Sequence, residues 1–179
     1  DIKLVQDHNC HVVHCPESNM KLASGFCPVG QLINAGINVA LGTDGAASNN
    51  DLDLFGELKT AALLTKAVAE DAAALDAHAA LRMATINGAK ALGWADQIGS
   101  LEAGKSADMI AVEINSIAQQ PLYNLASQLV YTNSGSQVTH SWVAGKSLLD
   151  NRVLRTLNQP ELIQSARDWR NKIQPRSMD

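Results

Sequence analysis

The chain has 179 residues, of which 46% are apolar and 18% charged, and its formal net charge is −4. These values are ordinary for a globular protein with a hydrophobic core. The absence of a long basic run excludes an extended nucleic-acid-binding surface. No stretch is long and apolar enough to span a bilayer, so we expect no membrane partner. The three cysteines do not suggest a disulfide scaffold, which favours a cytoplasmic location: Cys10, Cys15 and Cys27.

The first part of the sequence alternates between strand and helix patterns, which is typical of a parallel α/β structure. Pro16 ends the strand-like run at residues 10–15. Pro28 stands near the start of the next segment and Gly36 just past its end, as expected of a helix. In chain order we predict a helix end at residues 1–6, a strand at 10–15, a loop at 16–26, a helix at 28–35 and a strand at 39–43.

Two longer helical regions follow, and then the sequence changes from helical to strand patterns. Apolar residues return to one face over residues 52–67, and a second region at 76–92, which Asp76 can cap, is interrupted near Asn87-Gly88. Beyond this point a strand pattern at 107–114 and a hairpin signal at Ala144-Gly145 predict a β-rich module. Residues 160–172 form a predicted terminal helix.

One carboxylate stands where a buried strand gives way to a helical pattern. Asp44 follows the apolar run at 36–41, and a small polar loop at 46–50 separates it from the next helix. Asp44-Gly45 is also a hairpin signal, but no second strand follows it. The next helix can be capped by one of three residues, Asn49, Asn50 or Asp51. Because functional loops follow the carboxyl ends of parallel strands, Asp44 is the leading candidate site residue.

A second polar loop follows the preceding strand, at His14 to Asn19. If the two strands are neighbours in a parallel sheet, both loops open at one edge, and Ser18, Asn19 and Ser48 converge with Asp44 on a shared pocket. The alternative is that Ser18 and Asn19 only satisfy backbone groups of their own loop. The sequence leaves both interpretations open.

Other kinds of site find little support. Histidine and cysteine crowd the first stretch, but His11 and His14 are three residues apart on a strand, so they point to opposite faces and cannot hold one ion. The sequence also lacks the Gly-x-Ser-x-Gly motif of serine hydrolases and the glycine-rich loop that binds phosphate.

Five motifs stand in a specific order along residues 1 to about 150: His14-Cys15-Pro16 with Ser18-Asn19, KLASG at 21–25, GTDGAASNN at 42–50, MATINGA at 83–89 and GSLEAGKSAD at 99–108. In these motifs and their order the chain resembles the amidohydrolase superfamily. The similarity is greatest to its methylthioadenosine/S-adenosylhomocysteine deaminase group, with guanine deaminases and triazine chlorohydrolases as relatives.

The resemblance implies an α/β fold: the C-terminal portion of a (β/α)8 metal-dependent hydrolase barrel together with part of a small β-sandwich domain. On that basis we expect residues 1–95 to hold the last strands and helices of the catalytic barrel. Residues 96–155 would be the C-terminal part of the sandwich, and residues 156–179 a C-terminal helix and tail.

The resemblance also implies hydrolytic deamination of an adenosine-type compound with release of ammonia. Asp44 would be a ligand of one divalent ion, usually Zn²⁺, and would handle the proton of the attacking water. Four residues would line the pocket for a purine nucleoside or related heterocycle: Ser18, Asn19, Ser48 and, as a weaker candidate, His14. A homo-oligomer is the plausible assembly.

The other metal ligands that the superfamily uses, a His-x-His pair, a histidine with a nearby glutamate and a further histidine, are not in the sequence. Catalytic zinc generally has three protein ligands, so we expect these residues alone to be inactive. Two alternatives stay open. The first is guanine deamination or triazine hydrolysis with the same ion and water, and the second is a non-catalytic scaffold chain.

Overall fold

A computed structural model describes residues 1–132 and 134–173, and within them the mixed α/β class is confirmed. The elements in chain order are α1 (Ile2–Asp7), β1 (Val12–His14), α2 (Pro16–Lys21), α3 (Val29–Asn34), β2 (Val39–Leu41), α4 (Ala46–Asn49), α5 (Leu54–Ala69), α6 (Ala77–Met83), α7 (Ile86–Ala91), β3 (Met109–Val112), α8 (Leu125–Tyr131), β4 (Val138–Val143), β5 (Lys146–Asp150), β6 (Val153–Leu154) and α9 (Gln159–Ile173). Two 3-10 turns, Ile117–Gln119 and Gly135–Gln137, flank α8.

β1 and β2 are parallel neighbours, as the proposed shared loop edge requires. Val12 pairs with Val39 and His14 pairs with Leu41, so the two strands end at the same level. All three residues of β2 are buried, because helices α3, α5, α6 and α7 contact this strand. The loops after β1 and β2 therefore open side by side.

The main core lies between β2 and the helices. α5 packs against α2, α3, α6 and α8, and its buried face repeats at helical spacing, as its sequence pattern predicts. The largest fully buried apolar side chains come from different parts of the fold and pack the helices on one another: Val29, Val39, Leu58, Leu75, Met83 and Val130.

Two predicted loops contain short helices instead. The segment predicted as a loop at 16–26 begins with α2, which has Pro16 at its first position, Glu17 in its first turn and Lys21 in its last. Each of these is a helix signal that the loop interpretation overlooked. Likewise, the polar loop at 46–50 forms α4, a single turn that begins after Gly45.

The helix caps are partly as predicted. Asp76 caps α6 by accepting a hydrogen bond from the N–H of Ala79 at 2.7 Å, which confirms the sequence signal. The prediction that Asn49, Asn50 or Asp51 caps α5 is wrong. Asp53 is the N-cap of α5, because its Oδ1 accepts from the N–H of Phe55 at 2.9 Å.

α7 is attached to the parallel pair by hydrogen bonds from the side-chain amides of two asparagines. The amide of Asn38 donates to the carbonyl of Asn87 at 3.0 Å, and the amide of Asn87 donates to the carbonyl of Val39 at 2.9 Å. Asn87 belongs to the segment that interrupts the helical pattern between α6 and α7. The interruption therefore has a structural role, which is to anchor α7 on β2.

The second sheet has the order β3-β4-β5-β6 and is antiparallel throughout. The predicted hairpin is confirmed, with Ala144 and Gly145 both at positive φ between β4 and β5. The sequence did not predict α8, which Asn124 caps through a 2.8 Å hydrogen bond from Ser127 N. Ala126 and Val130 of α8 are buried in the main core rather than against this sheet.

The terminal helix α9 is confirmed, although its residues are exposed in this chain. The predicted tail after it, residues 174–179, lies outside the described residues. Among the helices of the described ranges, none has the length and apolar character needed to cross a membrane.

Candidate active site

Asp44 stands three residues after the end of β2, between the loops that follow the two parallel strands. Its backbone has a φ of +59°, in the left-handed region, which aspartate and asparagine adopt more readily than most residues. This turn sends the chain from β2 into α4 and leaves the Asp44 side chain exposed. The strand end therefore presents a carboxylate to the open side of the loops.

Three donors hold the carboxylate of Asp44. Ser18 Oγ donates to Oδ2 at 2.9 Å and Ser48 Oγ donates to the same oxygen at 2.7 Å. The backbone N–H of Gly45 donates to Oδ1 at 2.8 Å. Ser18 lies on α2 and Ser48 on α4, so the structure brings both predicted serines together with Asp44.

These hydrogen bonds keep Asp44 ionised. The hydroxyl of Ser48, followed by the N–H of Gly45 and the hydroxyl of Ser18, holds the pKa of Asp44 below its ordinary value, because all three donors favour the charged form. The side chain is exposed, so desolvation opposes this effect only weakly. Asp44 therefore carries a full negative charge at neutral pH.

The same contacts determine which carboxylate oxygen is available to a ligand. A carboxylate offers about four acceptor positions, two on each oxygen. Donors from the described residues take both positions on Oδ2 and one on Oδ1. The position that these residues leave open is on Oδ1.

The carboxylate of Asp44 fits a divalent metal ion, because it is ionised, exposed and has one acceptor position available. Over residues 1–132 and 134–173, however, no group of three histidine, cysteine, aspartate or glutamate side chains lies close enough to hold an ion. Catalytic zinc generally takes three protein ligands. The described part of the chain therefore offers one candidate ligand for such a site.

The other two predicted pocket residues are placed differently. His14 is only 3% exposed, and its Nδ1 is buried without a hydrogen-bond partner in the part of the chain that the structure describes. Burial lowers the pKa of His14, so the ring is neutral at neutral pH. Asn19 is half-buried on α2, beside Ser18. Neither side chain is among the described donors to Asp44.

Sequence reasoning missed Glu57, the residue that connects α2 with α4. Glu57 on α5 accepts a hydrogen bond from the N–H of Glu17 at 3.1 Å and another from the side-chain amide of Asn49. A signal was present, because Glu57 is three residues after Leu54 and four before Ala61. It therefore lies on the face that the pattern assigns to the core, where a charged residue is unusual.

Comparison with known proteins places this arrangement in a family. Residues 1–148 match the family model described as the amidohydrolase family, and the chain belongs to that family. The resemblance drawn from the five motifs is thereby confirmed.

The similar proteins include deaminases and a triazine-degrading enzyme. Over 173 residues the chain is 57% identical to a protein of Teredinibacter turnerae named 5-methylthioadenosine/S-adenosylhomocysteine deaminase, in a match that covers 97% of this chain and 39% of that protein. A crystal structure of an adenosine deaminase from Xanthomonas campestris with bound zinc matches with a TM-score of 0.94 and 53% identity, over 96% of this chain and 39% of that chain.

A more distant neighbour is the atrazine chlorohydrolase of Arthrobacter aurescens complexed with zinc. It matches with a TM-score of 0.86 and 26% identity, over 93% of this chain and 37% of that chain. The present chain thus spans about two fifths of the length of the relatives that it matches.

Proposed function

We propose that the natural protein containing this chain is a zinc-dependent hydrolytic deaminase of adenosine-type compounds. S-adenosylhomocysteine, methylthioadenosine and adenosine are its candidate substrates. The observation that carries the proposal is the ionised Asp44 carboxylate, held at the end of β2 by hydroxyls from both neighbouring loops. The names of the relatives support the substrate class.

The proposal includes the architecture that the motifs imply. Residues 1–95 would be the last strands and helices of a (β/α)8 barrel, with β1 and β2 as neighbouring barrel strands. Residues 96–155 would be the C-terminal part of a small β-sandwich, and residues 156–179 a helix and tail. The parallel register of β1 and β2 and the antiparallel sheet β3–β6 support this division.

Asp44 would hold the metal ion through Oδ1, with the other ligands coming from outside these residues. When bound, zinc lowers the pKa of water to about 7 and so supplies a nucleophile at neutral pH. Asp44 would take the proton of the attacking water and pass it to the departing nitrogen. In balance, water adds to the purine carbon that carries the amino group, the C–N bond breaks and ammonia leaves.

The four candidate pocket residues would have three roles between them. The hydroxyls of Ser18 and Ser48 would orient Asp44 by occupying Oδ2, so that Oδ1 faces the ion and the water. Asn19 and Ser48 are the less buried members and are better placed to touch a purine nucleoside directly. Ser18 and His14 are buried and would shape the floor of the pocket.

The test is an ammonia-release assay of the purified natural protein with S-adenosylhomocysteine, methylthioadenosine, adenosine and guanine, together with metal analysis. We expect turnover of at least one of the adenosine-type compounds and about one divalent ion per site. If the protein releases ammonia from none of the four compounds, the proposal is refuted. Turnover of guanine alone would favour the guanine deaminase alternative instead.

The triazine alternative and the scaffold alternative have their own readouts in the same experiment. Release of chloride or amine from a triazine, without deamination of nucleosides, would favour the former. Absence of both turnover and stoichiometric metal would favour a non-catalytic scaffold. A cytoplasmic location, a homo-oligomeric assembly and inactivity of these 179 residues alone stay predictions from the sequence.

A further inference from the structure

Glu57 is a buried charged side chain that the proposed chemistry does not use. It has no exposed surface, although it belongs to the first turn of α5. Burying a carboxylate away from water is costly unless its oxygens accept hydrogen bonds. The positive end of the α5 dipole offsets part of that cost, and the rest must be met by specific donors.

The two donors come from α2 and α4, the helices that carry the two serines of the candidate site. Oε2 of Glu57 accepts from the backbone N–H of Glu17, which immediately precedes Ser18. Oε1 accepts from the side-chain amide of Asn49, which immediately follows Ser48. A single carboxylate therefore contacts the neighbour of each serine that donates to Asp44.

Asn49 extends the connection to the strand end. Its amide nitrogen also donates to the carbonyl of Thr43 at 2.8 Å, one residue before Asp44. The chain of contacts from Glu57 through Asn49 to Thr43 fixes α4 relative to the end of β2. The hydroxyl of Ser48 and the carboxylate that it holds are thus attached to one buried group.

A second contact set keeps α2 close to α5. Thr60 Oγ1 donates to Oε1 of Glu17 at 2.8 Å, and a Cβ added at Gly56 would lie only 3.3 Å from that oxygen. The close approach brings the N-terminus of α2 within reach of Glu57.

Burial raises the pKa of Glu57, as do the charges of Glu17 and Asp51, while the two donors favour its ionised form.

We propose that Glu57 is a positioning residue, which braces α2 and α4 at the separation that lets Ser18 and Ser48 donate to the same oxygen of Asp44. The functional consequence rests on the proposed deaminase activity. The geometric part does not, because the brace consists of contacts within this chain. Glu57 would act through Asp44 and would touch neither substrate nor metal.

The test compares Glu57→Gln with Thr65→Val in the natural protein. The glutamine substitution keeps the volume of the side chain but replaces one acceptor oxygen with a donor, which would face a donor from Glu17 or Asn49. Thr65 is a matched control on the same helix, because it is 5% exposed and its buried hydroxyl has no hydrogen-bond partner among the described residues.

The first readout is hydrogen exchange of the segment 44–50, which does not depend on activity. We expect exchange in this segment to be about tenfold faster in Glu57→Gln and unchanged in Thr65→Val. Unchanged exchange in Glu57→Gln would overturn the proposal whatever the activity. If Glu57→Gln does not fold, Asn49→Ala removes the other end of the brace and must show the same loosening, and its failure to do so would overturn the proposal.

The second readout is steady-state kinetics. We expect kcat to fall about tenfold in Glu57→Gln with KM within about twofold, as for residues that orient a metal ligand. In a Ser18→Ala/Ser48→Ala background the same substitution should cost less than about twofold, because the hydroxyls through which it acts are gone. An equal loss in both backgrounds would overturn the proposal.

If the wild-type protein deaminates nothing, the proposed function fails. The hydrogen-exchange result alone then decides whether Glu57 braces α2 and α4.

Discussion

The parallel pair β1–β2 and the antiparallel sheet β3–β6 are stabilised in different ways. Every residue of β2 is buried, and the strand contacts four helices, of which α6 and α7 lie more than 30 residues further along the chain. The strands of the antiparallel sheet follow one another in order, and most of their side chains are half-buried or exposed. The first region depends on tertiary packing and the second largely on pairing between consecutive strands.

The difference extends to their polar groups. At the end of β2, Ser18, Ser48 and the Gly45 N–H all point to one carboxylate, and a buried glutamate joins the loops beneath it. In the antiparallel sheet the ion pairs lie near the surface, as for Arg152 with Glu113. Convergent, partly buried polar groups are typical of functional sites, whereas scattered surface pairs contribute little. The comparison can be tested by substitutions in each region.

The largest effect is expected for Asp44→Asn in the natural protein. Asparagine tolerates the left-handed backbone of this position, so the fold should persist, while the ionised ligand and proton carrier are lost together. We expect turnover to fall at least about a thousandfold, measured as ammonia release.

The control is Asp76→Asn, which should be silent because asparagine caps helices as well as aspartate does. Turnover of Asp44→Asn within about tenfold of wild type would contradict the assigned role.

The next effect concerns the two hydroxyls that hold Asp44. We expect Ser18→Ala or Ser48→Ala to lower kcat by about 10- to 100-fold each, because the metal ligand loses a partner that orients it. Since each hydroxyl lowers the pKa of Asp44, its removal should raise that pKa, as measured by NMR titration of the metal-free protein.

Ser147→Ala in the antiparallel sheet is the matched control, and it should leave both kcat and the pKa of Asp44 unchanged. An unchanged pKa of Asp44 in Ser18→Ala and Ser48→Ala would show that these hydroxyls do not tune Asp44.

A smaller effect is expected for the pH dependence of stability through His14. Burial lowers the pKa of His14, so the unfolded protein binds a proton at this position before the folded protein does as the pH falls. The free energy of unfolding should therefore decrease as the pH drops below about 6.5, the ordinary value for histidine.

Urea denaturation of the natural protein between about pH 5 and pH 8 measures this dependence. His14→Gln should flatten it, whereas His78→Gln should not, because His78 is exposed on α6. Equal slopes for wild type and His14→Gln would contradict the prediction.

The smallest effect is expected in the antiparallel sheet. Arg152 Nη2 lies 2.6 Å from Oε2 of Glu113, and both side chains are about half exposed. Arg152→Met removes the charge and keeps the apolar stem, so we expect the free energy of unfolding to change by less than about 1 kcal/mol. Thermal denaturation measures the change, and turnover should equal that of wild type. A loss above about 2 kcal/mol would show that this sheet depends on its ion pairs after all.

Much of the fold follows from local patterns in the sequence. The apolar repeat of α5, the Asp76 cap of α6 and the hairpin at Ala144-Gly145 are each specified by residues close together in the chain, and the structure confirms all three. α2 and α8 were missed although Pro16 and Asn124 mark their starts, because a helix of six or seven residues has little periodicity of its own.

The sequence by itself determined that Asp44 follows a buried strand and that a second polar segment precedes that strand, since apolar runs and segment composition are local properties. Only the tertiary structure decided that Ser18 and Ser48 share one oxygen of Asp44, and that Glu57 joins their loops. Glu57 is forty residues from Glu17 in sequence, and the contact exists because α5 packs against α2 and β2. The donors that a buried carboxylate contacts are determined by its position in the folded protein, and no local sequence pattern encodes that position.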